Sequence, residues 1–118
     1  MQKRKKCILI VDYDRNFARS LQDHLRSGEA EVLLAHSGKD CLARCREHSF
    51  DVVLLDQKLP DAEGPDLCPS ILTANSQTKI IFTTAFPSFD NAVKAIRNGA
   101  FDYLSKPIEL EELDLAVR

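Results

Sequence analysis

Asp51-Val52-Val53-Leu54-Leu55-Asp56-Gln57-Lys58-Leu59-Pro60-Asp61 is the stretch that decides how this chain folds. Val52 to Leu55 is an aliphatic run with no polar break, the pattern of a central strand covered by helices on both faces. The run stops at an acid, Asp56. Outward from it the same grammar repeats. Cys7 to Val11 is a second such run and stops at Asp12, Lys79 to Thr83 stops at Thr84, and Phe101 to Leu104 leads to Lys106. Glu31 to Ala35 is less apolar and suits a sheet edge.

Segments of helical period separate these strands. Phe17, Leu21 and Leu25 recur at intervals of four on a first helix that begins near Asp14, its expected N-cap, and stops at Gly28. A second spans about Gly38 to Glu47, with Cys41, Leu42 and Cys45 inward. Gly64-Pro65 opens a third, because proline tolerates the first helical position; Leu67, Ile71 and Leu72 form its buried stripe, and Pro69 is expected to shorten or bend it. Phe89, Val93, Ile96 and Ala100 set a fourth helix closed by Gly99, and Leu110, Leu113 and Val117 begin a fifth. Ile81, Phe82 and Phe101 are read as core. Alternating strands and helices predict an α/β fold, a three-layer α/β/α sandwich with a five-stranded parallel sheet in the order 2-1-3-4-5 and five helices.

The 118 residues match the size of one domain, so 1–118 is expected to be a single module with any effector domain outside this chain. Hydrophobic residues at 44% and charged residues at 29% fit an ordinary globule and give no support to a disordered or membrane protein. Sixteen basic against eighteen acidic side chains argue against a nucleic-acid clamp, and the one basic cluster, Lys3-Arg4-Lys5-Lys6, is short and terminal. No signal-peptide core follows that cluster. A cytoplasmic location is therefore expected, with Cys7, Cys41, Cys45 and Cys68 reduced. Cys41 and Cys45 are one helical turn apart, but the paired spacing of a zinc site is missing.

Asp12, Asp56, Thr84 and Lys106 follow strands one, three, four and five. Four strands thus deliver two carboxylates, a hydroxyl and an ammonium to one rim of the sheet, the rim at which open α/β sheets bind ligands. A solvated acid after a strand is commonplace, whereas the set in this order is specific. It suits phosphoryl transfer: a carboxylate attacks phosphorus, a divalent cation bridges carboxylates and phosphoryl oxygens, and a lysine and a hydroxyl neutralise what remains. Magnesium fits, since it takes hard oxygen ligands and keeps several waters.

These residues resemble the receiver domain of bacterial two-component response regulators. The resemblance covers essentially the whole chain through Ile8-Leu9-Ile10-Val11-Asp12, the Asp51 to Asp61 stretch with Gly64, Thr84-Ala85, and Gly99-Ala100-Phe101-Asp102-Tyr103-Leu104-Ser105-Lys106-Pro107. It implies a flavodoxin-like sandwich in which Asp56 is the phosphoacceptor, taking its phosphoryl group from a histidine of a sensor histidine kinase. Lys106 would pair with that group and Thr84 close on it, while the ring of Tyr103, the switch aromatic, turns inward. Magnesium would be held by Asp12, Asp56 and the backbone carbonyl of Lys58, and the Lys106-Pro107 peptide would be cis. Such a domain is a switch and no enzyme beyond autophosphorylation from small phosphodonors and autodephosphorylation. Its implied partners are the kinase, an effector domain in the full-length protein, and a second copy docked through the helix 4, strand 5 and helix 5 face. Asn98 to Glu112 most resembles receivers of transcriptional activators that drive an ATPase module.

One position breaks the pattern. The family has two adjacent acids after the first strand, the second being the main side-chain ligand of magnesium, and here Asp12 is followed by Tyr13, whose protonated phenol is a poor ligand. Asp14 is the nearest substitute, although its place at a helix start favours capping. Either Asp56 is still phosphorylated, with slower chemistry and weaker magnesium dependence, or the domain is a degenerate receiver governed by partner binding. The retained Asp56, Thr84, Tyr103 and Lys106 favour the first. The Lys58 side chain either hangs over the site and tunes hydrolysis or is a solvated loop lysine. An aspartate-nucleophile phosphatase of the haloacid-dehalogenase type would place an acid where Lys58 stands, so it lacks its proton donor. A flavin site needs a hydroxyl-rich phosphate loop, and Tyr13-Asp14-Arg15-Asn16 is not one.

Overall fold

The computed structural model describes residues 5–118, so Lys3 and Arg4 of the basic cluster lie outside the described residues. Strands β1 (Cys7–Val11), β2 (Glu31–Ala35), β3 (Val52–Asp56), β4 (Lys79–Thr84) and β5 (Asp102–Ser105) alternate with helices α1 (Arg15–Ser27), α2 (Gly38–Glu47), α3 (Gly64–Ala74), α4 (Phe89–Arg97) and α5 (Leu110–Val117). The strands form one parallel sheet in the order β2-β1-β3-β4-β5, as the alternation predicts.

The aliphatic runs of β1 and β3 are buried on both sides because the sheet separates two cores. Leu9, Val11, Val53, Leu55, Ile80 and Phe82 face α2 and α3, where Cys41, Leu67, Cys68 and Ile71 meet them. Ile8, Ile10, Val52, Leu54 and Ile81 face the other way, onto Ala18, Leu21 and Leu25 of α1 and Leu113 and Ala116 of α5. With period-two alternation each strand feeds both cores, and each fully buried aliphatic side chain contributes about 1.5–3 kcal/mol of transfer free energy.

Register then sets the site. Val11 pairs with Leu55, Asp56 with Thr83, and Thr84 with Ser105. Residues 12, 56, 84 and 106 therefore come level at the carboxyl edge.

Two expectations need correction. Phe101 is not core: it precedes β5 and is 55% exposed, because its N–H bonds to the Ile80 carbonyl at 2.7 Å while its ring lies outside under the Lys79 ammonium. The fourth helix buries only part of the stripe assigned to it: Ala100, just beyond it, is core and Val93 is half-buried. Within α4 itself only Ala95 is buried, and Phe89 and Ile96 are 83% and 53% exposed. Pro69 lies inside α3, which runs from Gly64 to Ala74, and Thr73 donates its hydroxyl to the Pro69 carbonyl at 2.8 Å. Gly99 closes α4 as expected, with φ at +100°, where a side chain would be strained. The Lys106-Pro107 peptide is cis. Among the described residues no helix is long and apolar enough to cross a membrane.

Candidate functional site

A cleft of about 300 Å³ opens at the carboxyl edge of the sheet, lined by Asp12, Asp14, Asp56, Lys58, Thr84 and Lys106 among others. All the residues assigned there from the sequence are brought together except Tyr103, which stands behind the cleft. Lys106, one of the lining residues, has its Nζ 2.7 Å from Asp12 Oδ2 and 3.3 Å from Asp56 Oδ2. One ammonium is thus shared between two carboxylates delivered by neighbouring strands.

Each acid is held for a local reason. Asp12 is buried at 1% exposure; its Oδ1 accepts the Asp14 N–H at 2.9 Å, and its carbonyl accepts His36 Nδ1–H at 2.8 Å. Asp56 ends β3 with its side chain 15% exposed, and its Oδ1 accepts the Lys58 N–H at 3.3 Å. Behind it the β3–α3 loop doubles back: Leu59 N–H bonds the Ala62 carbonyl and Gly64 N–H the Gln57 carbonyl. Gly64 has no room for a side chain, because a Cβ there would sit 2.6 Å from the Asp56 carbonyl oxygen and 2.8 Å from Phe82 Cε1. Asp61 ties this loop to α2, accepting the N–H groups of Gly38 and Lys39 at 2.7 and 3.0 Å, and those bonds hold its carboxyl below the usual range.

The electrostatics follow from burial and charge. Burial pushes the Asp56 carboxyl above the ordinary carboxylate range and the Asp12 charge adds to this; Lys106 and the Lys58 N–H pull the other way without cancelling it. Burial by itself would lower Lys106. The Asp12 carboxylate, through its hydrogen bond and its charge, and then Asp56 outweigh that, so the ammonium is held above its ordinary value. The Phe17 ring of α1 adds a face for it, with Lys106 Nζ 4.6 Å from the ring centre.

Thr84 is buried, and its hydroxyl oxygen accepts the Phe86 N–H at 3.0 Å. Tyr103 is half-buried against the α2/α3 core, and its hydroxyl donates to Gln57 Oε1 at 3.2 Å. Asp14 caps α1, accepting the Phe17 N–H at 3.0 Å, which is the role favoured for it. Tyr13 is 65% exposed at the cleft mouth.

Among the described residues no group of three or more His, Cys, Asp or Glu side chains is placed to hold a metal. In the cleft, the carboxylates of Asp12 and Asp56 and the backbone of Lys58 are the hard-oxygen groups that could hold a cation. That chemistry fits a divalent cation that keeps several waters, with one carboxylate fewer than a three-acid site would supply.

Sequence reasoning missed His36, Phe17 and Gln57. Periodicity places Phe17 on a buried face but cannot say that its ring ends beneath an ammonium. His36 and Gln57 carry no spacing signal, because their partners are a backbone carbonyl and a hydroxyl distant in the chain.

A match to the response regulator receiver domain family runs over residues 8–118. The chain is 37% identical over 110 residues to the transcriptional regulatory protein ZraR of Klebsiella oxytoca, covering 93% of this chain and 25% of that protein. It is 35% identical over 111 residues to the regulatory protein AtoC of Escherichia coli, covering 94% of this chain and 24% of that one. The chain thus spans about a quarter of the length of these relatives. Among solved structures, a CheY-like receiver domain protein from Methanospirillum hungatei superposes with a TM-score of 0.88 at 31% identity, over 97% of this chain and 94% of that one. A response regulator from Burkholderia pseudomallei, whose crystal structure holds a phosphorylated aspartic acid, a calcium ion and citrate, superposes with a TM-score of 0.91 at 26% identity, over 97% of this chain and 67% of that one. On the family match, the shared fold and the curated relatives together, this chain belongs to the response regulator receiver domain family.

Proposed function

We propose that Asp56 is the residue of this receiver that takes up a phosphoryl group, with a sensor histidine kinase as donor. An Asp56 oxygen attacks phosphorus, the bond from phosphorus to the donor imidazole nitrogen breaks, and that nitrogen leaves with the electron pair, giving an acyl phosphate. The observation that carries this reading is the Lys106 ammonium held between Asp12 and Asp56 at an open cleft. It screens the like charge of the two acids and is already in place for the added phosphoryl oxygens. Thr84 exchanges its Phe86 N–H for a bond to the new group, which moves the β4–α4 loop and, with Tyr103, the face beyond it.

A divalent cation, when bound, neutralises phosphoryl oxygens. Asp12, Asp56 and the Lys58 carbonyl would hold it, with Tyr13 adding no charge and Asp14 kept largely for its cap, so binding is weaker than at a three-acid site. Small phosphodonors also label the domain, and hydrolysis at the same cleft resets it. The output is an effector domain of a transcriptional regulator in the cytoplasm. The exposed Phe89, Ile96, Phe101 and Leu110 support docking of a second copy on the α4-β5-α5 face.

Intact-mass measurement after incubation with acetyl phosphate, with and without magnesium, tests the assignment. One phosphoryl addition is expected in the wild type and none in Asp56→Ala; equal labelling of both proteins overturns it.

A further inference from the structure

Gln57 follows the acceptor residue directly and is half-buried, lining the charged cleft on one side and reaching the Tyr103 hydroxyl with its side chain. Its backbone is pinned on both sides: its N–H bonds the Thr83 carbonyl at 2.9 Å and its carbonyl accepts the Gly64 N–H at 2.8 Å. Its side-chain oxygen therefore has a fixed origin, and it accepts the Tyr103 hydroxyl at 3.2 Å. The ring of Tyr103 packs on the same core as Leu9, Leu55 and Phe82. A phenol turned into such surroundings needs an acceptor, because an unpaired buried hydroxyl is costly. Thr84 is not that acceptor: the Tyr103 hydroxyl donates to Gln57 Oε1, and the bond recorded for the Thr84 hydroxyl is from the Phe86 N–H.

We propose that Gln57 is a positioning residue that holds the Tyr103 ring inward before any phosphoryl group is present, giving Asp56 a link to the switch aromatic that bypasses Thr84. This rests on the reading of Asp56 as acceptor and Tyr103 as switch. Asp56 and the residue that anchors the ring are joined by one peptide bond, a route from the acceptor to the ring that does not pass through Thr84. In the unphosphorylated state the same anchor shifts the population of the output face toward its ring-in form.

Tyr13 and Tyr103 are the only two tyrosines, so incorporation of 3-fluorotyrosine gives two fluorine signals, assigned with Tyr103→Phe. Relaxation by a soluble gadolinium chelate then reads the exposure of each ring in the 118-residue chain, with no phosphodonor present. In the wild type the Tyr103 signal is expected to be several-fold better protected than that of Tyr13. Gln57→Met, which keeps the length but removes the acceptor, should bring the two together, whereas Thr84→Ala and Asp56→Ala should leave the protection standing. Urea unfolding of Gln57→Met, Tyr103→Phe and the double variant should show that the second change costs little once the first is made. Unchanged protection in Gln57→Met, its loss in Thr84→Ala, or fully additive unfolding costs would each overturn the proposal. A failure of Asp56 to take up phosphate leaves these readouts untouched, so the two readings fail separately.

Discussion

Lys106 Nζ is 2.7 Å from Asp12 Oδ2, closer than its 3.3 Å to Asp56 Oδ2, so the resting ammonium is bound first to the more buried acid and not to the proposed phosphoacceptor. Asp12 is the more buried of the two carboxylates and has the greater need of a counter-charge.

Removing that counter-charge should therefore hurt folding as well as chemistry. Lys106→Met is expected to destabilise the domain by about 1–3 kcal/mol at neutral pH, because it strands a buried carboxylate. Adding Asp12→Asn should recover part of the loss, the two effects being non-additive. Urea midpoints of the two single variants and the double variant check this, and an unchanged midpoint in Lys106→Met would mean that the pair contributes nothing to folding.

The pH dependence has a defined sign. Asp56 is raised in the fold, so its ionised form is penalised there: the penalty is absent below the ordinary aspartate value of about 3.9 and complete above the folded value. Asp56→Asn should accordingly be more stable than the wild type at neutral pH, with the gain shrinking as pH falls through the carboxylate range. Lys106 is also raised, so its contribution is present below its ordinary value of about 10.4 and is lost as pH climbs through the folded one. Unfolding curves of wild type and Asp56→Asn across the acid range supply the test; a gain that grows on acidification would reverse the assignment.

Tyr13→Asp places a charged oxygen at the mouth of the cleft. Magnesium affinity measured by calorimetry should rise by about tenfold, equivalent to about 1.4 kcal/mol. No gain would mean that Asp14 already supplies the charge or that the cation does not enter here.

Gly64→Ala should be among the most damaging single-methyl changes in the chain. Its Cβ would meet the Asp56 carbonyl and the Phe82 ring, and neither can retreat without moving β3 or the core. A loss of about 1–3 kcal/mol is expected, as for other overpacked sites, together with slower phosphorylation. Thermal unfolding and labelling rate measured on the same sample check both.

The sheet and the acidic rim were legible because period and strand-end position are properties of the chain itself. Val52 to Leu55 could only be a strand buried on both faces, and the parallel order then forced Asp12, Asp56, Thr84 and Lys106 to one edge. What could not be read depended on which face a short element presents. Phe89 and Ile96 have helical spacing, yet α4 buries only Ala95; Phe101 adjoins a strand but points past it. The cap expected of Asp14 from its place at the helix start is present as its bond to the Phe17 N–H. The bonds of Gln57 to Tyr103 and of His36 to the Asp12 carbonyl join positions with no periodic relation, and only the folded chain brings them together.

The central claim concerns one carboxyl group, and borohydride reduction tests it at that atom. An acyl phosphate on Asp56 is reduced to the homoserine side chain, whereas a free carboxylate is not. After treatment with acetyl phosphate and then borohydride, peptide mapping should find the conversion at residue 56 and at no other aspartate. Conversion at Asp12 or Asp14, or none at residue 56 in a protein that has gained phosphate, would contradict the account.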